Sequence, residues 1–479
     1  LLAVATTGLL IWAHSQPHVG PAPEEDNTSA VQMAPGEAVK KFPPAKVAAL
    51  KKLASTSLRD ARSGDAAGAH AAAQKLRDLC KSMYDARLIL LVEQVQPHDD
   101  QVADHVCSTS LAEHDVASSL ELVVGCLNAD RWKLIGVLPF SDRGVLLGAA
   151  LASHFGLPGI SPAEARAGLD KQIFRQLEAS ATTAPEDYRP VVSSRIESLP
   201  ELRQRVIELG GKAFIKPACE GASRGCRVIR HPSECDDAWQ ALKPYREGGI
   251  VLEELIQNAR EYSWDSVAGS TWITEKTTTD GAYRAEIQQV VPAPLAPEVQ
   301  ARLKAAGQHM AGLVSQDNGA WHNEVFYRAN HRTSAVETNM RPGGMHIWDL
   351  ARQAFVDFDP WERWVRWAVE GQVDSQDPVP RGYCGIRLLR ATTGGILRDV
   401  PDIPSLARSL NIDLLDSVVS KRIGEPVSAL VKDNFSFVGH IVLFNEDYEQ
   451  LSHDLLRLAE TIETNIGITS LASSARAVC

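Results

Sequence analysis

Between Trp321 and Gly344 the chain reads WHNEVFYRANHRTSAVETNMRPGG, two runs of strand character separated by a turn near Asn330. Period-two alternation puts Glu337 and Asn339 on one face of the second run, and antiparallel pairing brings Glu324 of the first run opposite them. Arg341, two residues beyond Asn339, keeps that face and carries a fork suited to a phosphoryl or carboxylate group. Any fold that accommodates this segment has to close a hairpin aiming three oxygen donors and a guanidinium at one place. Such donors suit Mg²⁺, which retains water and shares substrate phosphates.

Upstream, Asp170 and Lys171 open a helix, DKQIFRQLEAS, and FIKPACEGASRGCRVI follows at residues 214–229. Here Ile215 and Lys216 sit on a strand that enters a turn through Gly221, Ser223 and Gly225. Glycines let backbone N–H groups approach phosphate oxygens, and a lysine at the strand end supplies fixed positive charge. A tight hairpin gives the same local pattern, and no GKS or GKT follows, so the loop is not of the Walker A type. VLEELI at residues 251–256 is a short apolar strand carrying Glu253 and Glu254, and Glu261 follows in REYSWDSVAG. Such a segment can offer backbone groups to an adenine edge and a carboxylate to ribose hydroxyls. Alone it is an amphipathic strand pair.

A chain of 479 residues predicts two to four domains. With 49 Lys+Arg against 60 Asp+Glu, a net charge of −11, it has no electrostatic reason to collect on nucleic acid. The eight cysteines (Cys80, Cys107, Cys126, Cys219, Cys226, Cys235, Cys384 and Cys479) are scattered without a CxxC pair, which suits reduced thiols better than a disulfide framework or zinc site. LLAVATTGLLIWA, at the N-terminus, is nearer in length to a signal-peptide core than to the roughly twenty residues that span a bilayer. No basic segment precedes it, so targeting and membrane readings stay open. Residues 21–44 read as an extended linker with five prolines. Residues 45–84 read as two helical stretches broken near Gly64.

From Leu88, LILLVEQV is a strand-length apolar run. A helical stretch around residues 113–128 and a second run, KLIGVLPF, at 133–140 follow. The next helix starts near Asp142 and closes at Gly156, with Leu146, Ala150 and Phe155 on its apolar side. Strand, helix, strand, helix is the grammar of a parallel α/β layer, so residues 85–160 read as a Rossmann-like unit, without a GxGxxG turn. Trp361, Trp364 and Trp367 recur at near-helical spacing and read as helix packing against a central sheet rather than an aromatic substrate box. Beyond Val379 short strands and glycine turns suit a β-rich C-terminal part ending in a helix near 446–465, with His440 a plain strand residue.

Taken in order, GLPG…DK, KPxxGxSxG, VLEELI…EYS, HNE and ETNMRPGG cover residues 155–345. This series resembles the ATP-grasp ligases, particularly the carboxylate–amine ligase branch that includes L-amino-acid (dipeptide) ligases and, more distantly, biotin carboxylase. Looser similarity runs from 85 to about 470. The resemblance implies an α/β fold, α+β in part. It divides into an N-terminal extension (1–84), a Rossmann-like pre-ATP-grasp domain (85–160), the ATP-grasp domain (161–375) and a β-rich C-terminal subdomain (376–479).

It also implies roles. Lys171 and Lys216 contact ATP phosphates, and the loop holding Glu220, Gly221, Ser223 and Gly225 closes over them. Glu253, with the backbone of Glu254 and Leu255, holds adenine, and Glu261 faces the ribose. Glu324, Glu337 and Asn339 coordinate one or two Mg²⁺ ions, or Mn²⁺ in their place. Arg341, with Lys216, steadies the transferred phosphoryl group, while Arg284, His322, Gly343 and Gly344 lie towards the acyl and amine pockets. In such enzymes a substrate carboxylate attacks the γ-phosphate, giving an acylphosphate and ADP, and an amine then displaces phosphate. The expected partners are a small-molecule carboxylate and amine, with a second copy of the chain as in many such enzymes. The expected location is cytoplasmic, with the N-terminal apolar run leaving membrane or organelle open. Two rivals are a biotin-dependent carboxylase component, for which the chain shows no biotinyl lysine motif of its own, and a nucleotide-binding scaffold without catalysis. Against the scaffold stands the intact set Lys171, Lys216, Glu324, Glu337, Asn339 and Arg341.

Overall fold

The computed structural model describes residues 9–15, 66–96, 99–130, 132–221, 223–315 and 317–470. The expected linker and the first of the two helical stretches lie outside them, while the second is the helix Ala66–Tyr84.

The first sheet holds β1 (Leu9–Ser15), β2 (Arg87–Val92), β3 (His105–Ser108) and β4 (Trp132–Pro139), in the order β3-β2-β1-β4. β2 and β3 are parallel as the α/β grammar requires, but β1 pairs antiparallel with both β2 and β4. The unit read as starting at residue 85 therefore takes a strand from the N-terminal apolar run. An apolar run of this length serves a buried strand as readily as a signal core. No helix among the described residues is long and apolar enough to cross a membrane. The helix Asp142–Phe155 ends on left-handed Gly156 as expected. Its buried face is Val145, Leu147, Ala149, Ala150, Leu151 and Ala152, with Leu146 and Phe155 only half-buried. Packing against both β4 and the helix Pro162–Leu169 widens the stripe beyond the one read from periodicity.

A small antiparallel sheet follows, built of β5 (Ser193–Arg195), β6 (Ala213–Pro217), β7 (Arg227–Ile229) and β8 (Ile250–Glu254) in the order β5-β8-β6-β7. The body of the molecule is an eight-stranded antiparallel sheet. It takes β9 (Ala259–Val267), β10 (Ser270–Thr278), β11 (Glu286–Val291), β12 (Ala320–Arg328), β13 (Thr333–Asn339) and β14 (Tyr383–Leu389). After β15 (Gly395–Asp399), β16 (Leu414–Val419) and β17 (Pro426–Val427), β18 (Gly439–Asn445) and β19 (Gly467–Thr469) complete the strands. The order in the large sheet is β13-β12-β9-β10-β11-β14-β18-β16, and β17-β15-β19 form a small sheet of their own. The β-rich C-terminal part thus extends the main sheet, because β14 pairs with the open edge of β11, setting Arg387 opposite Gln288.

Trp361, Trp364 and Trp367 are all core. Trp361 and Trp364 meet each other and Trp348 edge to face or tilted, with centroids 4.9, 5.2 and 6.4 Å apart, in a cluster with Leu88, Leu138, Trp272 and Ile386. This cluster joins the first sheet to the large one.

Candidate active site

The β12–β13 hairpin forms in the register that alternation dictates, Glu324 opposite Glu337 and His322 opposite Asn339. Asn339 Nδ2 donates to Glu337 Oε1 at 3.1 Å and to the His322 carbonyl at 3.2 Å, which fixes the amide beside the carboxylate. The other Glu337 oxygen takes Lys171 Nζ at 3.0 Å. Lys171 is held there because the Asp170 side chain caps the helix Lys171–Ser180 by accepting from Gln172 N and Ile173 N. Lys171 Nζ also donates to the Glu220 carbonyl at 2.8 Å, so helix start, glycine-rich loop and hairpin meet at one ammonium. Burial would lower its pKa, but Glu337 outweighs burial and raises it.

Arg341 closes the same place. Its Nε and Nη2 donate to both oxygens of Asp142, at 2.7 and 3.0 Å, and Nη2 lies 3.5 Å from Asn339 Oδ1. Asp142 opens the helix Asp142–Phe155 as expected. Ser141 takes the cap position and Asp142 reaches across from the first unit to the hairpin. Burial alone would push the Asp142 carboxyl up, but the Arg341 guanidinium holds it below the usual range. A Cβ on Gly221 would lie 3.1 Å from Asp142 Oδ2, so the loop passes directly beside this pair. Gly225 has φ +71°, and a Cβ there would sit 2.8 Å from Pro217 Cγ. Ser223 adopts φ +58° in the same turn, and Glu220 pairs with Arg224 at 2.6 Å.

Two residues expected at the nucleotide separate. Glu253, buried in β8, gives Oε1 to Arg175 Nε at 2.7 Å and Oε2 to Lys216 Nζ at 2.8 Å. Its carboxylate is committed inside the protein, which corrects the expectation that it contacts adenine. The neighbouring half-buried Glu254 and Leu255 stand where β8 ends. Glu261 is on β9, on a different sheet, 4.0 Å from Lys276 Nζ.

Lys276 is the centre of a cluster that sequence reading missed. Its fully buried ammonium touches Glu324 and Glu286 as well as Glu261, and oxygens of the three carboxylates lie within 4.8 Å of one another. Burial, with Glu324 and Glu286 nearby, pushes the Glu261 carboxyl up to about 8 despite Lys276. His322 belongs to the same group. Nδ1 meets Asp265 Oδ1 at 2.7 Å and Nε2 meets Glu324 Oε1 at 3.1 Å. Burial would lower the imidazole pKa, but Asp265 lifts it to about 9. Arg175, Asp265, Lys276 and Glu286 escaped the sequence reading, and Asp142 was read only as a helix start, because the ion pairs that define them reach other strands or helices. The one available signal was the same-face alternation of Thr274 and Lys276 in β10.

Oxygen-only donors on Glu324, Glu337 and Asn339, in a region where buried acids outnumber buried cations, fit a hard divalent ion. Gly343 is tightly enclosed, since a Cβ would meet Ile347 Cδ1 at 2.6 Å and His322 Nδ1 at 2.8 Å, whereas Gly344 faces open space. Arg284 is exposed on the β10–β11 loop with φ +54° and is not brought to this cluster by any described contact. The Cys226 thiol lies near both lysines, and burial pushes it up to about 12, which suits no nucleophilic role.

No family model matches the chain. The formate-dependent phosphoribosylglycinamide formyltransferase of Pelobacter propionicus is 35% identical over 63 residues, 12% of this chain and 16% of that protein's length. Solved structures cover far more. The L-amino acid ligase of Bacillus licheniformis aligns with TM-score 0.67 at 14% identity over 83% of this chain and 95% of its own. Staphylococcus aureus N5-carboxyaminoimidazole synthetase complexed with ADP aligns at 0.57 and 13%, over 81% and 94%. Campylobacter jejuni biotin carboxylase aligns at 0.57 and 15%, over 83% and 89%. The fold is the ATP-grasp fold.

Proposed function

We propose that this chain is an ATP-dependent carboxylate–amine ligase. The observation that carries the reading is the meeting of Lys171, from a helix start far earlier in the chain, with Glu337, Asn339 and Arg341 of the hairpin at one oxygen-rich site next to the glycine-rich loop. The similar L-amino acid ligase and N5-carboxyaminoimidazole synthetase supply the reaction class by analogy.

On this reading Lys171 and Lys216 neutralise ATP phosphates, residues 220–225 cover them, the backbone of Glu254 and Leu255 holds the base edge, and Glu261 stands at the ribose side. Glu324, Glu337 and Asn339 would hold Mg²⁺, which supplies charge neutralisation between phosphates. A substrate carboxylate oxygen attacks the γ-phosphorus, the bond to ADP breaks, and an amine nitrogen then displaces phosphate from the acylphosphate. Arg341 exchanges Asp142 for the acyl phosphate, a planar fork meeting a new pair of oxygens. The chain's contribution is positioning and charge, since two anions must meet. The proposed units are those of the sequence reading, with Leu9–Ser15 moved from the N-terminal extension to the Rossmann-like unit.

The test is ADP and phosphate release by the full chain with Mg·ATP against carboxylates, bicarbonate included, with and without amines, and mass spectrometry of products. A carboxylate-dependent release of ADP with a new amide mass is expected. Turnover only with bicarbonate and biotin would move the reading to a carboxylase, and AMP in place of ADP would overturn the acylphosphate route.

A further inference from the structure

Glu286 joins the Lys276 cluster to a second group of side chains that the reaction above does not use. One of its oxygens faces Lys276, while Oε2 accepts from Gln289 Nε2 at 3.4 Å and from Asn434 Nδ2 at 3.3 Å. Gln289 Nε2 also points at Met345 Sδ, 3.6 Å away, in the turn that follows Arg341. A carboxylate only accepts hydrogen bonds, so both amides must turn their NH₂ groups to Glu286 and their oxygens away from it. Those two oxygens, Gln289 Oε1 and Asn434 Oδ1, are buried and have no hydrogen-bond partner among the described residues. Gln289 is only 1% exposed. Ile287, two residues from Gln289 in β11, joins Leu388, Val431 and Phe437 in one buried apolar cluster with Met345 against it.

Buried polar atoms are nearly always paired, and two orphaned acceptors on amides anchored to one carboxylate call for a donor. An ammonium group has three hydrogens to donate and carries the right charge. We propose that this nook takes the primary ammonium of the amine substrate, with the Gln289 and Asn434 oxygens as its acceptors and the Glu286 carboxylate, behind their NH₂ groups, supplying negative charge; the proton the nitrogen sheds before it attacks passes to the phosphate that leaves. The position suits the role, because Glu286 reaches the Glu324 cluster through Lys276 and Met345 ties the nook to the Arg341 turn. Gln289 and Asn434 then set which amine is accepted. The assignment rests on the ligase reading.

The test uses the full chain at saturating carboxylate and Mg·ATP with two nucleophiles. Hydroxylamine, uncharged at neutral pH, traps an acylphosphate as hydroxamate without needing an ammonium site. L-alanine and glycinamide serve as ammonium-bearing probes. Gln289→Met and Asn434→Ala are expected to lower the ratio of amide to hydroxamate by about tenfold, through a higher amine KM. Asn434→Gln keeps both the amide oxygen and the NH₂ that Glu286 accepts, and is expected to lower the ratio less than Asn434→Ala does. An unchanged ratio in both variants overturns the pocket and leaves the two oxygens to bound water. A parallel fall of both products overturns it in favour of a structural role. Absence of hydroxamate from the unsubstituted chain with every carboxylate fails the ligase reading itself, a separate result from either.

Discussion

Two buried charge clusters, built from the same residue types, close in different ways. In the first, Arg175 and Lys216 face Glu178 and Glu253. Glu253 gives one oxygen to each cation, and Glu178 gives one to Arg175 at 2.5 Å and the other to the Tyr188 hydroxyl. Arg175 spends its remaining donor on the carbonyls of Ala335 and Val336, at 3.0 and 2.8 Å, so this network ties the helix Lys171–Ser180 to β8 and β13. Two cations meet two anions and nothing is left over. In the second, one ammonium, Lys276, serves Glu261, Glu286 and Glu324, while His322 adds a cation that Asp265 already matches. A balanced buried network serves first as architecture, and of its members only Lys216 is proposed to reach toward phosphate as well. One with surplus negative charge bears a desolvation cost that the fold alone does not offset, as the raised Glu261 carboxyl records, and that surplus marks where cationic ligands belong.

Substitutions should therefore separate the two by kind as well as size. Glu337→Gln, next to the surplus, is expected to lower Mg²⁺-dependent turnover by about a thousandfold or more, some 4 kcal/mol of transition-state stabilisation. Its thermal midpoint should stay within a few degrees of the parent. Retained turnover would remove Glu337 from the metal site. Arg175→Met strips the balanced cluster of its central cation and leaves two buried carboxylates short of partners. The expected result is a loss of about 3–5 kcal/mol of stability in denaturant titration, with specific activity per folded molecule largely kept. If Arg175→Met were silent in stability but inactive, the contrast between the clusters would break.

The hairpin was legible because its chemistry lies within one local alternation: Glu324, Glu337, Asn339 and Arg341 share a face by period two, and the register follows. Lys171 was singled out by the family resemblance, at a helix start the sequence shows, and the glycine-rich loop by its composition. The fold class followed from the order of these motifs. What escaped reading has one physical cause, which is that partners far apart in sequence leave no local trace. Lys276 sits among carboxylates from three other strands, and Glu253 became a network member only because Arg175, 78 residues earlier, faces it. Asp142 was legible as the helix start that it is, but its bond to Arg341 spans 199 residues. Leu9–Ser15 was ambiguous for a different reason. A short apolar run does not say whether its neighbours are strands or lipid.

The smallest effect gives the finest test of the surplus cluster, because it compares adjacent glycines that the sequence treated alike. Neither Gly343 nor Gly344 has a left-handed backbone, so alanine adds a methyl without backbone strain at either. At Gly343 that methyl would come within 2.8 Å of His322 Nδ1, the nitrogen bonded to Asp265, and within 2.6 Å of Ile347 Cδ1. The imidazole cannot yield easily, since its other nitrogen is held by Glu324. The displacement passes to Glu324 and from there to the oxygens proposed to hold the metal. At Gly344 nothing lies within 4 Å of the added carbon. Gly343→Ala is thus expected to cost about tenfold or more in turnover through displaced geometry, and Gly344→Ala less than about twofold. Steady-state rates on the two purified variants decide it. Equal losses would mean that the turn itself touches substrate, and equal retention would mean that His322 is not coupled to the reacting centre.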